Sequence, residues 1–273
     1  LFQVEQSALK EMKSILIMIA MSALTLTSIA QTDKNKKTVI LVHGAWSDAT
    51  AWQAVTPLLN AQGLEVIEVN LPGHGTDVTS FADITFKSYV DAVKGAIGDK
   101  KQVILVGHSM AGLIISQVAE ELPGQIKKLI FLAAYLPGNG QSLLALAKED
   151  ADSHVSKYLQ IDAAKGSASI AKEGVIEVFA ADAPEQVGAY IADHIKPEPL
   201  APLATPVQLT AARFGKVNKV YIFTTNDNTV SPKLQHTMVR QTKVSKTYSL
   251  ESSHTPFISI PDKVADILIK ESK

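Results

Sequence analysis

Ser109, Asp227 and His254 are the residues whose types and positions point to chemistry. Ser109 lies in Gly107-His108-Ser109-Met110-Ala111-Gly112, directly after the apolar run Val103–Val106 and directly before a helical pattern. A strand that turns sharply into a helix through a serine presents the hydroxyl at the head of the turn. The flanking residues must be small so that strand and helix can approach. Ala111 stands where glycine is usual and is small enough for that role. A serine hydroxyl is a weak nucleophile at neutral pH, so it needs a base, and the base needs an acid to orient it. Asp227 follows the apolar run beginning at Val220, and His254 follows the run ending at Leu250. Loops after parallel strands emerge on one edge of a sheet, so both can reach Ser109, in the chain order serine, acid, histidine. The other reading of Ser109 is an ordinary helix-capping serine.

Other candidates fit these roles less well. His236 falls within a helical stretch, His154 and His194 fall in the inserted middle segment where a surface histidine is the default, and His108 adjoins the serine and is expected to pack around the turn. Glu251 stands too near His254 in sequence to orient its ring. Acyl transfer also needs backbone N–H groups aimed at the developing oxyanion. The amides of Met110, after the serine, and of Ala45, in His43-Gly44-Ala45-Trp46 after the first strand, are the expected donors. Gly44, Trp46, Met110, Leu143, Leu144, Phe179 and Phe214 are candidates for an apolar pocket wall, although core packing explains each as well. Asn70-Leu71-Pro72-Gly73-His74-Gly75 reads as a turn, with His74 structural. The seven histidines show no metal-ligand spacing, so no metal and no cofactor are expected.

The elements that must position these residues alternate. Thr38–Val42, Glu65–Val69, Gln102–Val106, Lys128–Leu132, Lys219–Phe223 and Lys246–Leu250 predict six strands, and 50–62, 83–98, 110–121, 232–242 and 261–271 predict helices. Near-continuous apolar strands between helices describe a mostly parallel sheet covered on both faces. The alternation breaks after Leu136. Residues 137–214 begin Pro137-Gly138-Asn139-Gly140, contain helical pieces at Leu143–Glu149, Ile170–Ala180 and Glu185–His194, and end in a proline-rich run. They predict a helical lid inserted between two portions of a hydrolase core, 31–136 and 215–273.

Composition narrows the alternatives. The 273 residues, 46% of them hydrophobic, can bury a large core, and the formal net charge of -1 supplies no field for nucleic acid. The absence of cysteine excludes disulfides, thiolate catalysis and iron–sulfur clusters. Residues 1–30 are set apart from the fold. Met12-Lys13, an apolar run from Ile15 to Ile29 and the small residues Ser28 and Ala30 describe a secretory signal peptide cleaved after Ala30. The run is shorter than the roughly 20 apolar residues of a membrane span. An exported chain, periplasmic or secreted and without a membrane anchor after cleavage, is therefore expected.

These motifs resemble the α/β-hydrolase fold family, and within it the small-esterase branch of plant methylesterases, hydroxynitrile lyases and their bacterial relatives. Val42-His43-Gly44-Ala45-Trp46, Leu71-Pro72-Gly73-His74-Gly75, Gly107-His108-Ser109-Met110-Ala111-Gly112, Phe131-Leu132-Ala133-Ala134-Tyr135-Leu136-Pro137 and Ser253-His254 carry the resemblance. It implies a triad of Ser109, Asp227 and His254 and oxyanion amides on Ala45 and Met110. The lyases resemble one another in a threonine after the first-strand histidine and a lysine after the triad histidine. This chain has Gly44 and Thr255 there, which disfavours cyanohydrin cleavage. Ser47-Asp48 also departs from the family's usual His-Gly. The expected function is hydrolysis of a small carboxylic ester by a monomer or homodimer; the alternatives are a ligand-binding sensor on the same fold and, after it, a lyase.

Overall fold

In the computed structural model, which describes residues 36–273, the apolar run Thr38–Val42 forms β1, buried along its whole length. The chain continues through a 3-10 turn (Ala49–Trp52), α1 (Thr56–Ala61), β2 (Glu65–Val69), α2 (Phe86–Ile97), β3 (Val103–His108), α3 (Ala111–Glu121) and β4 (Ile126–Leu132). It then leaves the sheet and builds a cap from α4 (Leu143–Lys148), α5 (Val155–Tyr158), β5 (Leu159–Asp162), β6 (Ser167–Ile170), α6 (Val175–Phe179), α7 (Glu185–His194), β7 (Glu198–Pro199) and α8 (Leu200–Ala204). It returns as β8 (Asn218–Thr224), α9 (Pro232–Gln241), β9 (Lys246–Leu250), α10 (Pro256–Ser259) and α11 (Pro261–Ser272). The signal peptide expected over Met12–Ala30, and the residues before it, lie outside the described residues.

Six strands pair in the order β2-β1-β3-β4-β8-β9, every pairing parallel. Alternate residues of β1 serve opposite layers, as the pleat requires. Ile40 and Val42 pack with Tyr89, Val93, Ile114 and Leu234 from α2, α3 and α9. Val39 and Leu41 pack with Trp52, Leu59, Val264 and Leu268 on the other face. The strand order reverses at the β1/β3 neighbours, and the crevice beyond the C-terminal ends of strands at such a switch is where ligands bind in open α/β sheets. The loops carrying Ala45 and Ser109 leave the sheet there.

Two segments differ from the sequence expectation. Residues 50–62 form a 3-10 turn and a separate α1 rather than one helix, because Pro57 is accommodated only in a first helical turn. The helix expected over Ile170–Ala180 is confined to Val175–Phe179. Ser167–Ile170 instead pairs antiparallel with Leu159–Asp162 across a turn closed by Gly166 at φ 62°. The cap therefore carries a small sheet, β5-β6-β7, as well as helices.

Candidate active site

Ser109 occupies the left-handed region at φ 54°. A non-glycine residue takes that conformation only when its surroundings impose it. They do so by close approach. A Cβ at Gly112 would stand 1.9 Å from the carbonyl oxygen of Tyr135, and one at Gly107 2.9 Å from that of Ala111. Tyr135 N–H donates to the Ser109 carbonyl at 3.1 Å, and Ser109 N–H donates to Leu132 at 3.3 Å. The turn is thus clamped between β4 and α3.

His254 Nδ1 lies 2.8 Å from Oδ2 of Asp227. A carboxylate only accepts, so Nδ1 carries a proton, and in the neutral ring Nε2 then keeps its lone pair. Asp227 is held in turn by Thr224 Oγ1 at 2.7 Å and Gln235 Nε2 at 3.1 Å on Oδ2, and by the amides of Thr229 and Val230 at 2.8 and 3.0 Å on Oδ1. Among the described residues, Nε2 of His254 is buried with no hydrogen-bond partner, Ser109 Oγ included. Catalytic hydrogen bonds commonly tighten only in the substrate complex. His108 joins the two loops: its Nε2–H donates to the His254 carbonyl at 2.9 Å, and the two rings stand 4.5 Å apart. Burial and the neighbouring His254 push the His108 pKa well down, so it stays neutral.

The loop after β1 is set by His43. Leu71 N–H donates to its Nε2 at 3.2 Å, so Nδ1 is the protonated nitrogen and donates to the Gly44 carbonyl at 2.8 Å. Burial, with the nearby His74, lowers the His43 pKa to about 3 and keeps this tautomer uncharged. The Gly44 carbonyl belongs to the same peptide as the Ala45 N–H, so His43 turns that N–H outward. Gly44 lets the loop approach the serine, since a Cβ there would lie 2.8 Å from Ser109 Cβ. Among the described residues the amides of Ala45 and Met110 donate no hydrogen bond within the chain, which leaves both available to an oxyanion.

A cavity of about 480 Å³ opens beside His254 and Ala45, lined by these two and by Trp46, His108, Phe179 and Phe257 and, further out, by Tyr190 and Ile191 of α7, while Ser109 and Asp227 are not among its lining residues. Of the residues expected on its wall, Trp46 and Phe179 line it, with rings 5.7 Å apart. Gly44 is not among the lining residues; it lies beneath, against Ser109 and His108. Leu143, Phe214 and Met110 do not line the cavity either: they pack in the core layer with α2, α3 and α9. Their apolar side chains belong to that core layer rather than to the cavity wall. Leu144 is exposed. His236 is exposed with its ring 4.2 Å from that of Phe223 and tilted by 31°, and Glu251 is exposed. Among the described residues no cluster of His, Cys, Asp or Glu could hold a metal ion.

The cap reaches the site through the end of α6. Carbonyls of Glu177, Val178 and Phe179, left unpaired as at any helix C-terminus, accept from Asn228 Nδ2 at 2.9 Å, Thr229 Oγ1 at 2.7 Å and Thr255 Oγ1 at 2.8 Å. The acid and histidine loops therefore dock on one helix end, which sets Phe179 6.1 Å from the His254 ring. Asp182 adds hydrogen bonds from Ser253 and Ser259. Sequence reasoning missed Asp182 and also Glu198, a wholly buried carboxylate in β7. Its only sequence signal is an acid enclosed by Pro197 and Pro199.

Known proteins share this architecture. The chain is 29% identical over 249 residues to a protein of Arabidopsis thaliana named putative methylesterase 14, chloroplastic, covering 86% of this chain and 71% of that one. It is 28% identical over 240 residues to a pyrethroid hydrolase of Sphingobium wenxiniae, covering 84% and 85%. A crystal structure of a pyrethroid hydrolase superposes with a TM-score of 0.79 at 25% identity, over 87% of this chain and 98% of that one. Polyneuridine aldehyde esterase shares the fold at 21% identity, with a TM-score of 0.78 over 88% and 100%. The sequence profile of the alpha/beta hydrolase family matches residues 39–267. With six parallel strands in this order and a serine turned into the head of the helix after β3, that match makes the chain a member of the alpha/beta hydrolase family.

Proposed function

We propose that this protein is a serine hydrolase that cleaves carboxylic esters through an acyl-enzyme. The observation that carries the reading is His254: its Nδ1 is bound to Asp227, while its buried Nε2 is unpartnered beside the loop of a strained serine. Ser109 Oγ attacks the acyl carbon as its proton passes to Nε2. The carbonyl electrons move onto oxygen, facing the Ala45 and Met110 amides. Collapse expels the alcohol, which takes the proton from Nε2. Water then gives a proton to His254, attacks the acyl carbon and releases Ser109, which recovers its proton. Asp227 holds the tautomer and stabilises the imidazolium.

The relatives named as a putative methylesterase and a pyrethroid hydrolase support ester substrates, and the mostly apolar lining with a volume of about 480 Å³ supports a small molecule with a hydrophobic acyl or alcohol part. Export to the periplasm or medium rests on the Met12–Ala30 pattern alone. The test is a panel of p-nitrophenyl and alkyl esters run with Ser109→Ala. Turnover should fall by about a million-fold if the three side chains act as a unit, and an alanine variant that keeps the wild-type rate refutes the assignment.

A further inference from the structure

Glu198 has no exposed surface, yet it belongs to a two-residue strand of the cap. A carboxylate buried without partners is costly, and this one is fully engaged. It accepts from Trp46 N–H at 3.0 Å, His74 Nε2 at 2.9 Å and Tyr89 Oη at 2.8 Å. His74 Nδ1 lies 3.0 Å from the Pro72 carbonyl. Both ring nitrogens face acceptors, so both carry protons and His74 is an imidazolium. Burial opposes that cation, but the hydrogen bond and charge of Glu198 outweigh it and raise the His74 pKa above its ordinary value. The pair is neutral as a whole.

Trp46 follows Ala45 directly and sits at φ 60°, a conformation that a tryptophan does not adopt unaided. The cap holds it at three points. Its N–H donates to Glu198, its carbonyl accepts from Lys196 N–H at 3.3 Å, and its indole N–H donates to the Ala168 carbonyl at 2.9 Å. Only the Glu198 bond acts on the peptide between Ala45 and Trp46. His43 already fixes the peptide between Gly44 and Ala45 by its carbonyl. Ala45 is therefore pinned from both sides, one side by the core and the other by the cap.

We infer that Glu198 is a positioning residue for the oxyanion donor: it aims the Ala45 N–H by holding the next peptide, and His74 cancels its charge beside the site where negative charge develops. This rests on the ester-hydrolase reading above. Glu198 touches no reacting atom, so its removal should lower kcat while leaving KM within a few-fold.

The test compares Glu198→Ala, Glu198→Asp and Glu198→Gln in the full chain. The readouts are kcat and KM on a p-nitrophenyl ester, the rate of inactivation by a fluorophosphonate, and the thermal midpoint. Glutamine keeps the reach of the side chain and one oxygen for Trp46, and should retain kcat within several-fold. Aspartate keeps the charge but is one methylene shorter, and should lose roughly 10- to 100-fold in kcat, less than the loss of a whole oxyanion donor. Inactivation should slow in parallel. Should alanine prevent folding, the contrast between glutamine and aspartate decides the matter. Aspartate or alanine variants with wild-type kcat, or a loss that appears in KM alone, overturn the inference while the wild type still hydrolyses esters. A wild type that neither hydrolyses esters nor reacts with the phosphonate removes the ester-hydrolase reading and this inference with it.

Discussion

His254 and Asp227 share a hydrogen bond of 2.8 Å in a place from which water is almost wholly excluded. The bond fixes which ring nitrogen is protonated and leaves the other free to act as a base. Asp227→Asn keeps the shape but can offer an amide N–H to Nδ1, which moves the ring proton onto Nε2. We predict a fall in kcat of about 10⁴-fold from the wrong tautomer, with KM and the thermal midpoint little changed. Steady-state kinetics beside a circular-dichroism melt check this, and a loss below tenfold contradicts it.

Gly112 and Gly95 make a matched pair. A Cβ at 112 would collide with the backbone oxygen of Tyr135 at 1.9 Å, whereas one at 95 meets nothing within 4 Å. Gly112→Ala must force α3 away from the turn that carries Ser109, at a cost of about 3 kcal/mol and most of the activity. Gly95→Ala, in the last turn of α2, should stabilise by about 0.5–1 kcal/mol through lost unfolded-state freedom. Urea denaturation of both variants separates these outcomes.

Glu271 ties the end of α11 to the sheet. Burial alone would raise its pKa, but hydrogen bonds from Lys128, Lys246 and Tyr248 outweigh burial and hold it down at about 2. Because the folded value lies below the unfolded one, Glu271 contributes its full stability above about pH 4.3 and loses it as pH falls toward 2. The contribution near neutrality is about 3 kcal/mol by that linkage. The stability gap between wild type and Glu271→Gln should therefore close between pH 5 and pH 2 in urea titrations. A gap that stays constant over that range contradicts the linkage.

What the sequence disclosed depended on how local each cause was. The strands were legible because residues such as Val39 and Ile40 are apolar on both faces, and the serine turn because its small neighbours lie within the same dozen residues. The cap was not legible in the same way. The Ser167–Ile170 pairing needs a partner strand, and the contact of Glu198 with Trp46, His74 and Tyr89 joins segments at least 109 residues apart in sequence. Leu143 and Phe214 show the opposite limit: an apolar side chain on the cap carries no local mark of whether it meets substrate or the core. Trp46 carries none either, yet its φ of 60° is a strained feature that hydrogen bonds from the cap hold.

The proposed mechanism turns on which atom becomes acylated. Reaction of the full chain with a fluorophosphonate, followed by peptide mass mapping, should give a single adduct on Ser109. The adduct should be absent from Ser109→Ala, and its formation should track the loss of ester hydrolysis. An adduct on another serine, or hydrolysis that survives complete labelling, would contradict it.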